Sequence, residues 1–80
     1  METLLDVVKV KARQGHLLDL EFENGEKRVF DMQPYLDKRP FNQLKNSPLF
    51  DLASVGHGTV IWPGNLDIAP ETLYDRSIPA

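Results

Sequence analysis

The stretch Thr59–Tyr74 (TVIWPGNLDIAPETLY) decides how the second half of this chain folds. Its residues Val60–Trp62 are β-branched or aromatic types that fit a half-buried strand. Pro63–Asn65 ends that strand, because proline lacks an amide donor while glycine and asparagine accept a positive φ. A short returning strand leads to a helix at Pro70, since the preset φ of proline suits the first helical turn. The stretch therefore predicts strand, tight turn, strand and helix, and it carries no catalytic motif.

Upstream of this stretch, the N-terminal third has a clear β-hairpin pattern. Apolar residues alternate with basic ones in Val8–Arg13 and with acidic ones in Leu18–Glu23. An antiparallel pair around the turn Gln14–His16 aligns both the apolar and the charged faces, whereas a one-residue slip would align neither. The predicted partners are Val8 with Phe22, Lys9 with Glu21, Lys11 with Asp19 and Ala12 with Leu18.

A third strand, Glu26–Asp31, is predicted to follow a second tight turn and complete a β-meander. Asn24-Gly25 favours a two-residue type I′ turn, because both residues tolerate a positive φ. That turn places Val29 opposite Leu20 and sends Phe30 to the charged face. Burial of Phe30 then requires either a bulge that resets the register or a later segment that covers the ring.

Prolines divide the middle of the chain into short pieces, because the residue before each proline is pushed out of the helical region. Pro34–Leu36 and Phe41–Lys45 predict single helical turns, and Ser47 predicts the cap of another turn at Pro48. Helices this short are marginal in water, so we expect them to pack on the sheet.

After these turns, the chain is predicted to form a second hairpin and a closing helix. Phe50–Val55 is the expected fourth strand, Gly56–Gly58 the turn and Thr59–Trp62 the fifth strand. Pro70–Ser77 is the expected helix. Its inward residue is Leu73, and Tyr74 is expected to stack on Ile78.

The predicted fold class is therefore α+β in a single domain, residues 1–80. It contains a small antiparallel β-sheet, with a β-meander of three strands plus a second hairpin, short helical turns in the middle and a C-terminal helix. A domain of 80 residues has an expected free energy of unfolding of about 4–12 kcal/mol.

Composition narrows the function classes. The chain has no cysteine, which excludes disulfides and thiolate metal ligands, and its net charge of −3 disfavours nucleic-acid binding. No apolar run approaches the length of a membrane span, and Met1–Asp6 lacks the basic start of a signal peptide. We expect a soluble, cytoplasmic protein that binds no membrane.

Candidate chemical groups are few. His16 and His57 each lie in a predicted turn without the spacing of further metal ligands, so no metal site is predicted. Asp51, Asp67 and Glu71 could pair for acid–base work only if the fold brought them together. The serines lie in no Gly-x-Ser-x-Gly context, and no glycine-rich loop suits a phosphate. We therefore expect no enzyme, no catalytic residue and no cofactor.

The basic residues of the meander form a row on one face: Lys9, Lys11, Arg13 and Arg28. Such a row suggests a nucleic-acid platform, but acidic residues of the neighbouring strand interleave with it and no aromatic ladder accompanies it. The row therefore predicts a solvated, salt-bridged face, and direct nucleic-acid binding is not expected.

The turn after the fifth strand is the remaining candidate for a binding surface. Trp62 is either the main filler of the core or an interface residue that the rigid turn presents. Under the second interpretation, the residues expected to contact a partner protein are Trp62, Pro63, Asn65 and Asp67.

Several segments together resemble the bacterial domain-of-unknown-function 2442 family over nearly the whole chain. These are Phe22–Glu26, Val29–Asp31, Phe50–Val55, Gly58–Pro63 and, most specifically, Asp67–Tyr74. The resemblance implies a small α+β fold, found alone or ahead of a helix-turn-helix domain, and often encoded beside another small protein in a toxin–antitoxin-like arrangement. It implies no enzymatic residues. Because the chain ends at Ala80, we expect no DNA-binding appendage here.

Two functional hypotheses follow from the sequence and the resemblance. The first is a non-enzymatic interaction module, antitoxin-like, that binds a neighbouring gene product or a second copy of itself. The alternative is a small-ligand sensory domain with a pocket between the turns around Tyr35–Phe41 and the sheet. An enzyme would require at least two of the residues Asp51, His57, Asp67 and Glu71 to converge in a cleft.

Overall fold

The computed structural model describes residues 5–80, which form seven β-strands, one α-helix and three 3₁₀ helices. The strands are β1 (Val7–Arg13), β2 (Leu17–Phe22), β3 (Lys27–Asp31), β4 (Ser54–Gly56), β5 (Thr59–Trp62), β6 (Leu66–Ile68) and β7 (Ile78–Pro79). The helix α1 spans Pro70–Arg76, and the 3₁₀ helices span Gln33–Tyr35, Phe41–Leu44 and Pro48–Leu52. Within the described residues, one antiparallel sheet has the order β1-β2-β3-β7 and the other β4-β5-β6, which confirms the α+β class.

The first hairpin has the predicted register except at its open end. Lys9, Lys11 and Ala12 lie opposite their expected partners, but Phe22 pairs with Val7 and not with Val8. A bulge between Val7 and Lys9 leaves Val7 1% exposed and Val8 46% exposed. The shift brings Val7 into the core, where its amide donates to the carbonyl of Gly58 (2.9 Å) and links the two sheets.

The second turn differs from the predicted two-residue turn. Gly25 N donates to Phe22 O (2.8 Å), and Phe22 N donates to Glu26 O (2.9 Å), so Glu23 also belongs to the loop. Gly25 has a φ of +88°, the geometry of a type I turn followed by a left-handed glycine in a bulge. The extra residue moves β3 by one position, so Phe30 lies opposite Leu18 and is fully buried. Of the two alternatives, the bulge is the one that occurs.

The fourth strand is shorter than predicted, since Phe50 lies in the 3₁₀ helix Pro48–Leu52 and β4 begins only at Ser54. The reason is the predicted cap: Ser47 Oγ accepts a hydrogen bond from Leu49 N (3.1 Å), and Pro48 presets a helical φ. The helical turns predicted before it are confirmed as 3₁₀ helices. The predicted strand β5, the returning strand β6 and the tight turn between them are also confirmed.

The C-terminal helix begins at Pro70 as predicted and buries Leu73 completely. The predicted contact of Tyr74 with Ile78 is wrong, because Ile78 is 65% exposed and pairs with Val29 as part of β7. The ring of Tyr74 instead meets Phe22 edge-on, with 5.2 Å between the ring centroids. The strand β7 has only two residues, which are too few to show a strand pattern in the sequence.

A polar clamp, formed by Glu26, Arg28, Tyr74 and Ser77, fastens this C-terminal segment to the meander. Arg28 donates to Ser77 Oγ (2.7 Å), to Ser77 O (2.9 Å) and to Glu26 (3.1 Å). Tyr74 donates its hydroxyl proton to Glu26 (2.7 Å), and the Arg28 guanidinium lies 4.5 Å from the centre of the Tyr74 ring. The clamp exists because the bulge turns Arg28 to the inner face, opposite Leu20.

The polar clamp makes stability depend on pH at both extremes. The hydrogen bond from Tyr74, together with those from Asn24 and Arg28, holds the pKa of Glu26 below its usual 4.5. The same bond to Glu26, with burial, raises the pKa of Tyr74 above its usual 10.0. Stability from Glu26 is therefore present above pH 4.5 and lost as pH falls through its lowered pKa. Stability from Tyr74 is present below pH 10.0 and lost as pH rises through its raised pKa.

We expect urea unfolding at a series of pH values to show a flat optimum between these limits. Glu26→Gln should make the acid side of that profile shallower but not flat, because the hydrogen bond from Lys45 also lowers the pKa of Asp37. Glu71→Gln, a matched change at an exposed residue, should leave the acid side as it is. Identical acid limbs in the wild type and Glu26→Gln would contradict the assignment.

The core between the sheets and the short helices contains an aromatic chain, formed by Phe30, Tyr35, Phe41, Trp62 and Phe50. Successive ring centroids in this order lie 5.4, 6.5, 6.2 and 6.2 Å apart. These ring contacts hold the 3₁₀ helices on the sheets. Helices this short need such packing because they are marginal by themselves in water. None of the helices within residues 5–80 combines the length and the hydropathy needed to cross a bilayer.

Candidate functional site

An open groove lies beside the turn between β5 and β6, on the outer side of the three-stranded sheet. This turn groove has a volume of about 320 Å³. Its lining residues are His57, Ile61, Trp62, Pro63, Gly64, Asn65, Leu66 and Asp67. The groove thus gathers polar groups around an apolar floor, an arrangement typical of binding sites.

Sheet pairing positions the two walls of the turn groove. Ile61 lies directly opposite Asp67 in the β5–β6 pair, so both side chains stand on the outer face. His57 lies in the β4–β5 turn, where it and Gly58 have the positive φ values of a two-residue hairpin. Ile61 can lie flat as the floor because Gly56 has no side chain: a Cβ there would lie 2.6 Å from Ile61 Cδ1.

The turn itself is held by Trp62 from below. Trp62 is 3% exposed, and its Nε1 donates to Phe50 O (3.2 Å), so the ring belongs to the core. Of the four residues expected to contact a partner, Pro63, Asn65 and Asp67 are exposed and share the turn groove. Trp62 supports them but does not present its ring to solvent.

Of the four residues named for the enzyme hypothesis, the fold brings two, His57 and Asp67, to one groove and leaves the other two elsewhere. His57 and Asp67 line the turn groove, whereas Asp51 lines another groove beside His16, and Glu71 lies exposed in the first turn of α1. Both His57 and Asp67 are exposed. Across residues 5–80, no group of three or more histidine and acidic side chains is placed to hold a metal ion. The groove offers hydrogen-bonding and charged groups at a surface rather than an enclosed reaction site.

The charged face of the four-stranded sheet is the second surface feature. As predicted, acidic and basic residues interleave there: Lys9 lies 3.9 Å from Glu21, and Arg13 lies 3.0 Å from Asp19. The prediction that Arg28 belongs to this row is wrong, because the bulge turns its side chain inward to the polar clamp. Lys27 takes its place, opposite Glu21.

Two site residues escape sequence reasoning for different reasons. The predicted hairpin could have identified Ile61, since it pairs with Asp67 across the predicted turn. Lys27 could be found only by recognising Gly25 as the bulge residue and shifting β3 accordingly.

Comparison with known proteins identifies a matching family. The model of a family described as "Protein of unknown function (DUF2442)" matches residues 7–79. No curated protein and no solved structure matches the chain. The match spans nearly the whole chain, including both surfaces described above.

Proposed function

The chain belongs to the DUF2442 family, and from that premise we propose that it is a non-enzymatic protein-interaction module that binds a partner through the turn groove. The observation that carries this proposal is that Pro63, Asn65 and Asp67 are exposed together on a turn held by a buried tryptophan. The family description assigns no function. The proposed partner is the product of a neighbouring gene, in an antitoxin-like pair.

Preorganisation supports the turn groove as a contact surface. Gly64 and Asn65 have φ values of +91° and +63°, conformations that glycine and asparagine adopt with little cost. Trp62 is fixed beneath them by its hydrogen bond to Phe50. A turn that is already ordered loses little conformational entropy on binding, so more of the contact energy appears as affinity.

The packing of the core favours this proposal over the small-ligand alternative. A sensory pocket was expected between the 3₁₀ helices around Tyr35–Phe41 and the sheet. The rings of Phe30 and Phe41 each contact the ring of Tyr35 in that space, so a ligand beneath these helices would have to displace aromatic side chains from the core. The groove that remains beside these turns, of about 230 Å³, is open and is lined largely by polar residues: His16, Gln33, Leu36, Asp37, Lys45 and Asn46.

The openness of the turn groove supports a binding role over catalysis. His57 and Asp67 are both exposed, so water competes for every hydrogen bond that they make to a bound group. The proposal also includes a cytoplasmic location, because a cysteine-free chain has no need of an oxidising compartment. Self-association through a sheet edge is the competing form of the same module.

We expect the neighbouring gene product to form a stoichiometric complex with this chain, measured by light scattering and calorimetry. Asp67→Lys should weaken the complex by about tenfold, because it reverses a charge in the turn groove. Asp75→Lys makes the same charge change at an exposed residue of α1 outside the groove and should leave affinity nearly unchanged. A chain that stays free at micromolar concentration, or equal losses for the two variants, would refute the proposal.

A further inference from the structure

The four-stranded sheet presents an open face that carries a groove of its own. This groove, of about 460 Å³, runs between the side chains of Lys9, Lys11, Asp19, Glu21 and Lys27 and ends near Ala80. The register places these side chains on the side of the sheet opposite Leu18 and Leu20, which pack in the core. We refer to this surface as the open face.

The register places four cationic side chains on the open face, Lys9, Lys11, Arg13 and Lys27, against three acidic ones, Asp19, Glu21 and Asp31, a surplus of one positive charge. The carboxylate of Asp19 lies 3.0 Å from Arg13, and that of Glu21 lies 3.9 Å from Lys9. Lys11 and Lys27 have no acidic group within 4.0 Å among the described residues. The chain as a whole carries a charge of −3, so two unpaired lysines on one sheet face are a distinct feature of its surface.

Apolar surface lies beside these lysines. The row that starts at Lys11 and Asp19 continues across the sheet to Val29 and Ile78. Val29 is half-buried, and Ile78 is the most exposed large apolar residue in the part of the chain that the structure describes. The open face therefore offers an apolar pair, Val29 and Ile78, on two neighbouring strands, with Lys27 on the same strand as Val29 and Lys11 at the other end of the row.

We propose that the open face binds an acidic, extended segment of a partner protein. Its carboxylates would pair with Lys11 and Lys27, and an apolar side chain would cover Val29 and Ile78. This inference rests on the proposed function in that the domain binds protein, but it assigns a second surface and the chemistry of what that surface takes.

The charge pattern favours a peptide over a nucleic acid. Phosphates recur at every nucleotide, so a strand across the face would bring some of them against Asp19 and Glu21. The described strands place no aromatic side chain on this face for base stacking. A peptide can instead place carboxylates opposite Lys11 and Lys27 and an apolar side chain over Val29 and Ile78, and it need not bring a charge against Asp19 or Glu21.

The test uses the whole chain as bait for a displayed library of random peptides. Selected sequences should combine acidic with apolar residues, and a synthetic peptide of the consensus should bind in fluorescence anisotropy with salt-dependent affinity. The double variant Lys11→Glu with Lys27→Glu should weaken that peptide by at least about tenfold. The control, Lys38→Glu with Arg39→Glu, makes the same charge change at exposed residues away from the open face and should bind normally.

Three results would overturn the inference: no acidic consensus, equal losses in both double variants, or preferential binding of single-stranded oligonucleotides. A self-association that the Lys11/Lys27 double variant abolishes would likewise show that a second copy, and not a partner segment, occupies the face. Asp67→Lys separates the two proposals, because it should weaken binding of the neighbouring gene product and leave binding of the acidic peptide unchanged. If no acidic peptide binds but the neighbouring gene product does, the inference about the open face fails and the proposal for the turn groove is unaffected.

Discussion

Trp62→Ala is expected to lower the free energy of unfolding by about 3–5 kcal/mol, since it removes a large buried side chain. The ring contacts Phe41 and Phe50, and its loss leaves a cavity in the aromatic chain. It also leaves Phe50 O without the indole donor. A domain of this size has a total stability of about 4–12 kcal/mol, so the variant should lose between roughly a quarter and all of it.

Urea unfolding followed by far-ultraviolet circular dichroism measures this effect, because the variant lacks the only tryptophan as a fluorescence probe. Trp62→Phe keeps much of the volume and should lose less, about 1–2 kcal/mol. Pro63→Ala, at the exposed neighbouring position, should change stability by under about 1 kcal/mol. A cost below about 1 kcal/mol for Trp62→Ala would mean that the ring is not in the core, and the tryptophan would again be a candidate contact residue.

Phe30→Ala is expected to cost about 3–5 kcal/mol, whereas Val29→Ala should cost under about 1 kcal/mol. The difference follows from the bulge at Gly25, which places Phe30 opposite Leu18 in the core and leaves Val29 opposite Asp19 on the open face. A two-residue turn would reverse the positions of these neighbours. The ratio of the two costs therefore measures the register of β3 directly.

Denaturant midpoints of the two variants, taken with unchanged m-values, supply this comparison. Gly25→Ala adds an independent check on the loop. Its φ of +88° is costly for a residue with a side chain, although no atom within 4 Å would meet the added Cβ. Similar costs for Phe30→Ala and Val29→Ala would contradict the observed register.

Local patterns in the sequence predict those parts of the fold that local interactions determine. Alternation with a period of two and the residues of the turns suffice for the β1–β2 pairing and for the path from Thr59 to the helix at Pro70. The wrong partner for Val8, and the register of Phe30 that the sequence left open, both come from bulges, each of which inserts one residue without changing the polarity pattern. The predicted strand at Phe50 is wrong because the turn that Ser47 caps continues to Leu52, and no residue within it marks where it ends.

The candidate site was predictable to the same extent. Pro63, Asn65 and Asp67 belong to a turn that the sequence marks clearly, and they are exposed on it. Whether Trp62 points outward or inward depends on Phe41 and Phe50, which come from segments far away in the chain. Such contacts have no signature within a short window, so the sequence left both orientations open.

The loop at Gly25 also determines which side chains of β3 the protein displays. In its present length, Lys27 and Val29 face outward, while Arg28 and Phe30 face inward. Deletion of a single loop residue would exchange these two sets along the whole strand, because side chains alternate between the faces of a sheet. Because that exchange would bury Lys27 and expose Phe30, a change of loop length in this fold requires compensating substitutions in β3, so loop and strand sequences have to change together.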